Sequence, residues 1–416
     1  MKHANSGCAV LYFVAALFSV FAPTAVAENS IFSIQPSPSP NIQGNVLNAV
    51  TAVSATDAWA VGFQNDNNLN ESRTLILHWD GSKWKAVPSP NPGSPKSCDQ
   101  FNTGNVLNAV SAISSTDVWA VGFFFNCTVN ELTPMALHWD GASWKNIPTP
   151  PLRTNANSAF NGVTALATDD VYAVGYFPAA NGAVRPLIEH WDGAAWKLVP
   201  GPTDRTTSNS LFSISALSAT DIWAVGVRVA QGTSIKTLVL HYDGAKWSIV
   251  PSPNPLPTGD LNQNVLLSVQ AVSSKDVTAV GYLLNTNALN KTTLVEHWDG
   301  TKWKVVPSPN ESTAQGALNT LQAVTAVSAT DLYAVGFFGD AATNGQETSL
   351  IEHFDGKQWS IIDSPTKGLA QQLLGVYALP GTTDTWSVGG FAPNGDDPET
   401  GLLQLPKSLV LFSSGS

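Results

Sequence analysis

From about residue 45 onward the chain is a succession of short runs in which apolar and polar residues alternate, each ended by a few polar positions. No stretch shows the spacing of an amphipathic helix. One unit is made of four such runs: Leu47 to Val53, Ala58 to Phe63, Thr74 to Trp79, and Trp84 to Val87. Ser54-Ala55-Thr56-Asp57 separates the first two, a polar turn in which Asp57 can bond its own backbone. Asp80-Gly81 separates the last two and is a strong tight-hairpin signal. Each unit therefore predicts a meander of four short antiparallel strands.

The unit returns around Asp117, Asp170, Asp221, Asp276, Asp331 and Asp384, at steps of 51 to 60 residues. A period of that size with strand content means a ring or solenoid of β units. A four-stranded meander repeated in this way predicts an all-β fold, a seven-bladed β-propeller of four-stranded blades. The blades fall at about 45–90, 105–150, 158–201, 210–253, 264–309, 319–365 and 372–413. Fourth runs open on Trp84, Trp144, Trp196, Trp247, Trp303 and Trp359, and the seventh unit ends without one. Phe32-Ser33-Ile34-Gln35-Pro36-Ser37-Pro38 matches Trp303-Lys304-Val305-Val306-Pro307-Ser308-Pro309, with Phe for Trp. Residues 31–38 are thus expected to complete blade seven and close the ring. All 14 tryptophans lie inside repeat motifs, which reads as packing between blades. Proline after each fourth run suits an outer edge strand, where it blunts edge-to-edge pairing.

Trp59-Ala60-Val61-Gly62, Trp79-Asp80 and Trp84 resemble the repeat of kelch and galactose-oxidase propellers, in pattern more than identity, over residues 28–416. The chain departs from kelch in carrying one glycine after the second run, except at Gly389-Gly390. Its third-to-fourth turn also looks like the Asp-box of sialidases, but lacks that box's serine and spacing. The resemblance implies a fold; function has to be argued from the site.

The two ends and the composition narrow the setting. Lys2, the apolar run Ala9 to Phe21 and Ala25-Val26-Ala27 read as a signal peptide over residues 1–27, giving a secreted chain without membrane insertion. The net charge of −11 argues against nucleic acid. Cys98 and Cys127 are expected to form one disulfide in an oxidising compartment. Asn70, Asn126, Asn290 and Asn310 head glycosylation sequons, which count only in a host that uses them.

Connections after the first and third runs are short and uniform, whereas those after the second and fourth are long and variable. One face of the disc is therefore plain and the other decorated, and variable loops on a rigid scaffold are where function concentrates. Arg73, Arg153, Arg185, Arg205 and Arg228 all fall in or beside the long connections and could dock an anionic glycan or peptide end. His78, His138, His190, His241, His297 and His353 share one repeat position, which reads as structural hydrogen bonding. That leaves no histidine in the long connections for a Ser-His-Asp triad or a His-bound zinc. The same gap removes the two histidines that the copper site of galactose oxidase implies. Acids in the long connections (Asp66, Glu71, Asp99, Glu131, Asp204, Asp260, Asp340, Glu347, Asp396, Asp397, Glu399) are the residues a glycosidase could use. The leading expectation is a monomeric binding module without cofactor or metal, recognising a glycan or protein partner through the decorated face. A glycoside hydrolase or lyase, and a structural envelope or matrix protein, are the alternatives. An exposed aromatic patch around Phe123-Phe124-Phe125 would favour the first.

Overall fold

The computed structural model describes residues 31–41, 44–66, 71–93, 103–152, 157–202, 207–230, 234–257, 261–341, 346–393 and 406–414. Among them every regular element is a strand, and no helix long and apolar enough to cross a membrane occurs. The leader segment and Cys98 lie outside these residues.

A two-residue strand, β1 (Ser33–Ile34), precedes the first unit. Unit 1 holds β2 (Asn45–Ser54), β3 (Asp57–Asp66), β4 (Glu71–Trp79) and β5 (Trp84–Ala86). Unit 2 holds β6 (Thr103–Ser114), β7 (Asp117–Asn126), β8 (Glu131–Trp139) and β9 (Trp144–Ile147). Unit 3 follows with β10 (Ala159–Ala167), β11 (Asp170–Pro178), β12 (Val184–Trp191) and β13 (Trp196–Leu198). Unit 4 is β14 (Thr207–Ser218), β15 (Asp221–Ala230), β16 (Ile235–Tyr242) and β17 (Trp247–Ile249). Unit 5 is β18 (Gln263–Ser273), β19 (Asp276–Asn285), β20 (Asn290–Trp298) and β21 (Trp303–Val306). Unit 6 is β22 (Leu318–Ser328), β23 (Asp331–Gly339), β24 (Thr348–Phe354) and β25 (Trp359–Ile362). Unit 7 supplies β26 (Ala370–Ala378), β27 (Thr385–Ala392) and β28 (Lys407–Ser413). Its fourth place is taken by β1, with Ser33 opposite Phe412 and Ile34 opposite Leu411. The N-terminal segment thus pairs with the last strand of the chain.

Two local features explain the motif residues. Every inner strand, the first of its unit, carries a register shift that leaves one extra residue, as between Leu47 and Ala49 in β2. Such a bulge bends the strand toward its partner. The bend brings the Val46 carbonyl to 2.0 Å from where a Cβ on Gly62 would stand, and the same contact recurs at Gly226 with Ser210. Only glycine fits there, which is why the second run ends on it. The Asp80 carboxylate accepts from the Ser82 and Lys83 amides at 3.0 Å, and Gly81 takes the left-handed φ of 86° that the turn requires. Lys85, Lys145, Lys197 and Lys304 pair back to the turn aspartates of their own units.

The proline segments after the outer strands do more than blunt an edge. An outer strand covers only the second half of the third strand, as β5 does for β4. The uncovered half is met by side chains. Thr74 Oγ1 lies 2.7 Å from Ser89 Oγ, and the Thr74 amide donates to Asn91 Oδ1 at 2.8 Å. Thr237 with Ser252 and Asn254, and Thr293 with Ser308 and Asn310, repeat the arrangement. In units 2 and 3 the third-strand residue is Pro134 or Pro186, which has no amide to satisfy, and the serine gives way to Thr149 or Gly201.

Seven apolar clusters make up the core, and each straddles two consecutive units. One of them joins Trp386, Val388 and Val410 of unit 7 to Leu47, Leu77 and Trp84 of unit 1. Phe32 stands where the other units have an outer-strand tryptophan, 2% exposed and edge-on to Tyr333 of unit 6 at 5.9 Å. Phe32→Ala is expected to cost about 3–5 kcal/mol and to lower the calorimetric melting temperature by roughly 5–10 °C. An unchanged melt would mean that the N-terminal segment does not hold unit 7 together.

Candidate functional site

The six repeated histidines form one construction, copied. In unit 1 His78 Nε2 lies 2.8 Å from Asp57 Oδ1, and the imidazole stacks on Trp59 at a centroid distance of 4.2 Å. His138, His190, His241, His297 and His353 meet Asp117, Asp170, Asp221, Asp276 and Asp331 at 2.8–2.9 Å. Trp119, Tyr172, Trp223 and Tyr333 supply the stacked ring in four of those five. Thr278 stands in the ring's place in unit 5, opposite His297. These histidines and aspartates sit at the short-turn end of their strands and are engaged with each other. Among the described residues no group of three or more His, Cys, Asp or Glu is placed to hold a metal ion.

Opposite them lies the end that carries the long connections. There the strands run further than their apolar alternation suggests, because backbone pairing needs no apolar side chain: Gln64 pairs with Arg73 and Asn65 with Ser72. Arg73 therefore lies within β4, Arg185 within β12 and Arg228 within β15. Arg73 Nε donates to Glu71 Oε1 at 2.6 Å, and Arg185 Nη1 donates to the Thr207 carbonyl of the next unit at 2.7 Å. Arg73 and Arg185 line separate cavities in units 1 and 3, so these two do not converge on one ligand. Arg153 and Arg205 lie outside the described residues, as do Asp99, Asp204, Asp260, Asp396, Asp397 and Glu399. Of the remaining acids, Glu71 is held by Arg73, and Glu347 accepts from Gln372 Nε2. Cys127 follows β7 directly. The Phe123-Phe124-Phe125 triplet is half-buried, and Phe124 packs on the core shared by units 1 and 2.

All seven inner strands meet at one cavity of about 160 Å³. The bulge residue of each strand faces it: Asn48, Asn108, Asn161, Phe212, Leu267, Gln322 and Leu374. Asn48, Asn108 and Asn161 each donate Nδ2 to a carbonyl of the following unit, Leu107, Phe160 or Leu211, at 2.8 Å. No lining residue carries a charge. Sequence reading passed over this ring because the inner run looks like plain alternation; the signal is the extra residue in Leu47-Asn48-Ala49.

A second set of residues escaped notice because it replaces leucine. Leu77, Leu137 and Leu240 occupy one third-strand position, and Glu189, Glu296 and Glu352 occupy it in units 3, 5 and 6, fully buried. Burial pushes each carboxyl up to about 8. Ser308 Oγ donates to Glu352 Oε2 at 2.8 Å, whereas neither oxygen of Glu189 has a partner among the described residues.

No protein-family model matches the chain, and no curated protein matches it in sequence. Solved structures do resemble it. YCF48 bound to a D1 peptide is 11% identical with a TM-score of 0.55, over 94% of this chain and 96% of that one. The GH74 xyloglucanase of Xanthomonas campestris is 11% identical with a TM-score of 0.53, over 90% of this chain and 55% of the enzyme. At such identity the likeness establishes the fold alone, and that fold is a β-propeller.

The buried glutamates make stability depend on pH. Glu189 stays protonated in the folded chain up to about 8, whereas in an unfolded chain it ionises near the ordinary carboxylate value. Its contribution is complete below that value, declines as pH rises, and is gone above the folded value. Glu189→Leu should therefore be more stable than the parent at pH 9 by about 2–4 kcal/mol and close to it at pH 4.5. Urea melts at the two pH values check this, and equal shifts at both would refute it.

Proposed function

We propose that the chain forms a closed seven-bladed ring of kelch-like repeats that recognises a glycan or protein partner through its long-connection face, without turning it over. It acts outside the cell as a monomer, after loss of residues 1–27, with Cys98 and Cys127 joined to tie two long connections together. Ring closure is supported by the seven inter-unit clusters, one of which spans units 7 and 1, and by the β1–β28 pairing.

One observation carries the recognition reading. Among the described residues the repeated groups suited to chemistry are committed within the protein: six histidines to aspartates, four turn aspartates to lysines, and three glutamates to the interior. The long-connection end and the axis both differ from unit to unit. The peptide held by YCF48 supports partner binding on this fold, and the GH74 xyloglucanase supports a carbohydrate as the partner.

The test is a panel of polysaccharides, oligosaccharides and peptides against residues 28–416, reading bound ligand and released sugar together. Binding without release is the expected outcome. Released sugar would replace this reading with the hydrolase, and the long-connection carboxylates would be the residues to mutate. Intact-mass measurement before and after reduction checks the disulfide: the unreduced chain should be lighter by two hydrogens and take up no thiol reagent.

A further inference from the structure

The axial cavity is asymmetric in a way that selects a ligand. Three consecutive units, 1 to 3, put Asn48, Asn108 and Asn161 on its wall, while units 4 and 5 put Phe212 and Leu267 there. In each asparagine the Nδ2 end is fixed on the carbonyl of the next unit. Fixing the donor end aims the acceptor end elsewhere. Asn48 Oδ1 and Asn108 Oδ1 receive no hydrogen bond from the described residues and are not sealed in the interior. Gln322 of unit 6 lines the same cavity, with neither end of its amide bonded to a described residue. The wall thus offers preset acceptors, one uncommitted amide and an apolar side.

Those features exclude some chemistries and fit another. An ammonium group would give up its water shell with no carboxylate to face, which disfavours it. An anion would meet acceptor oxygens. A purely apolar ligand would leave those oxygens unpaired. A neutral ring that bears hydroxyls on its edge and C–H bonds on one face satisfies both sides, its hydroxyls donating to the asparagine oxygens and its face lying on Phe212. The volume of about 160 Å³ is below the span of drug-sized pockets. It admits one sugar ring.

We infer that the axial cavity is a subsite for a single neutral pyranose unit, held by Gln322 and the oxygens of Asn48 and Asn108 against Phe212. This rests on the recognition reading above and gives it a place and a ligand class. The subsite lies at the middle of the inner strands, as Asn48 to Val50 do within Asn45–Ser54 and Phe212 to Ile214 within Thr207–Ser218.

The experiment titrates the full chain with neutral methyl glycopyranosides and, as the cationic probe, n-butylammonium, by calorimetry and ligand-observed NMR. At least one methyl glycoside should bind. Gln322→Leu and Phe212→Ala should each weaken it tenfold or more with the melting temperature within a few degrees of the parent. The inference is overturned if no glycoside binds, if both folded variants bind it as the parent does, or if butylammonium binds better than every glycoside. A polysaccharide or peptide bound equally by the parent and Gln322→Leu would remove the axial subsite and leave the recognition reading standing.

Discussion

The seam between neighbouring units depends on one wedge of aromatic rings. The second-strand ring of one unit, Trp59 for example, lies face-on to its own histidine and reaches the next unit's Trp139 and Trp144 at 5.1 and 5.4 Å. Trp119 does the same with Trp191 and Trp196, and Trp223 with Trp298 and Trp303. Trp386 carries the wedge from the last unit onto Trp79 and Trp84 of the first. A four-stranded sheet alone leaves an apolar face in water, so each unit is stable only because the next covers it. The His–Asp pairs hold the wedge at its angle.

That dependence explains where variation is tolerated. In unit 7 Phe412 takes the histidine's place and meets Trp386 at 4.4 Å with the rings tilted by 42°, so a ring at that place matters more than the imidazole itself. In unit 5 the wedge is missing altogether, since Thr278 contributes a methyl and a hydroxyl where others contribute a ring. The seam to unit 6 instead draws on Val280, Val295 and the unit 6 residues around Trp359. Buried carboxyls also sit at the seams, and Glu352 is met by the Ser308 hydroxyl of the preceding unit. The same serine bonds Thr293 within its own unit, so one hydroxyl serves both the sheet edge and the seam.

The architecture was legible in the sequence because the repeat displays it six times and begins a seventh: Asp57, Gly62, His78, Asp80 and Trp84 and their counterparts mark strand starts, turns and seams by position alone. Even the fourth strand of unit 7 could be found, since Phe32 to Pro38 copies Trp303 to Pro309. The site was far less legible. Asn48 and Gln322 look like ordinary polar positions in an alternating run until the bulge turns them to the axis. Arg73 and Arg185 look like loop cations, because nothing in their neighbours' polarity reveals that backbone pairing extends past the apolar stretch. Glu189 can be recognised as unusual only by setting it in register with Leu77.

The pairing of β1 with β28 joins groups 379 residues apart in the chain. Closing so long a loop is slow, and it cannot begin before the last strand exists. During synthesis from the ribosome, units 1 to 6 can therefore assemble in order while Phe32 waits without its seat beside β28. Until β1 and β28 meet, the chain has two complementary ends. At high concentration those ends could also meet the ends of another molecule. The pairing of β1 with β28 is thus also the point at which two chains could exchange arms.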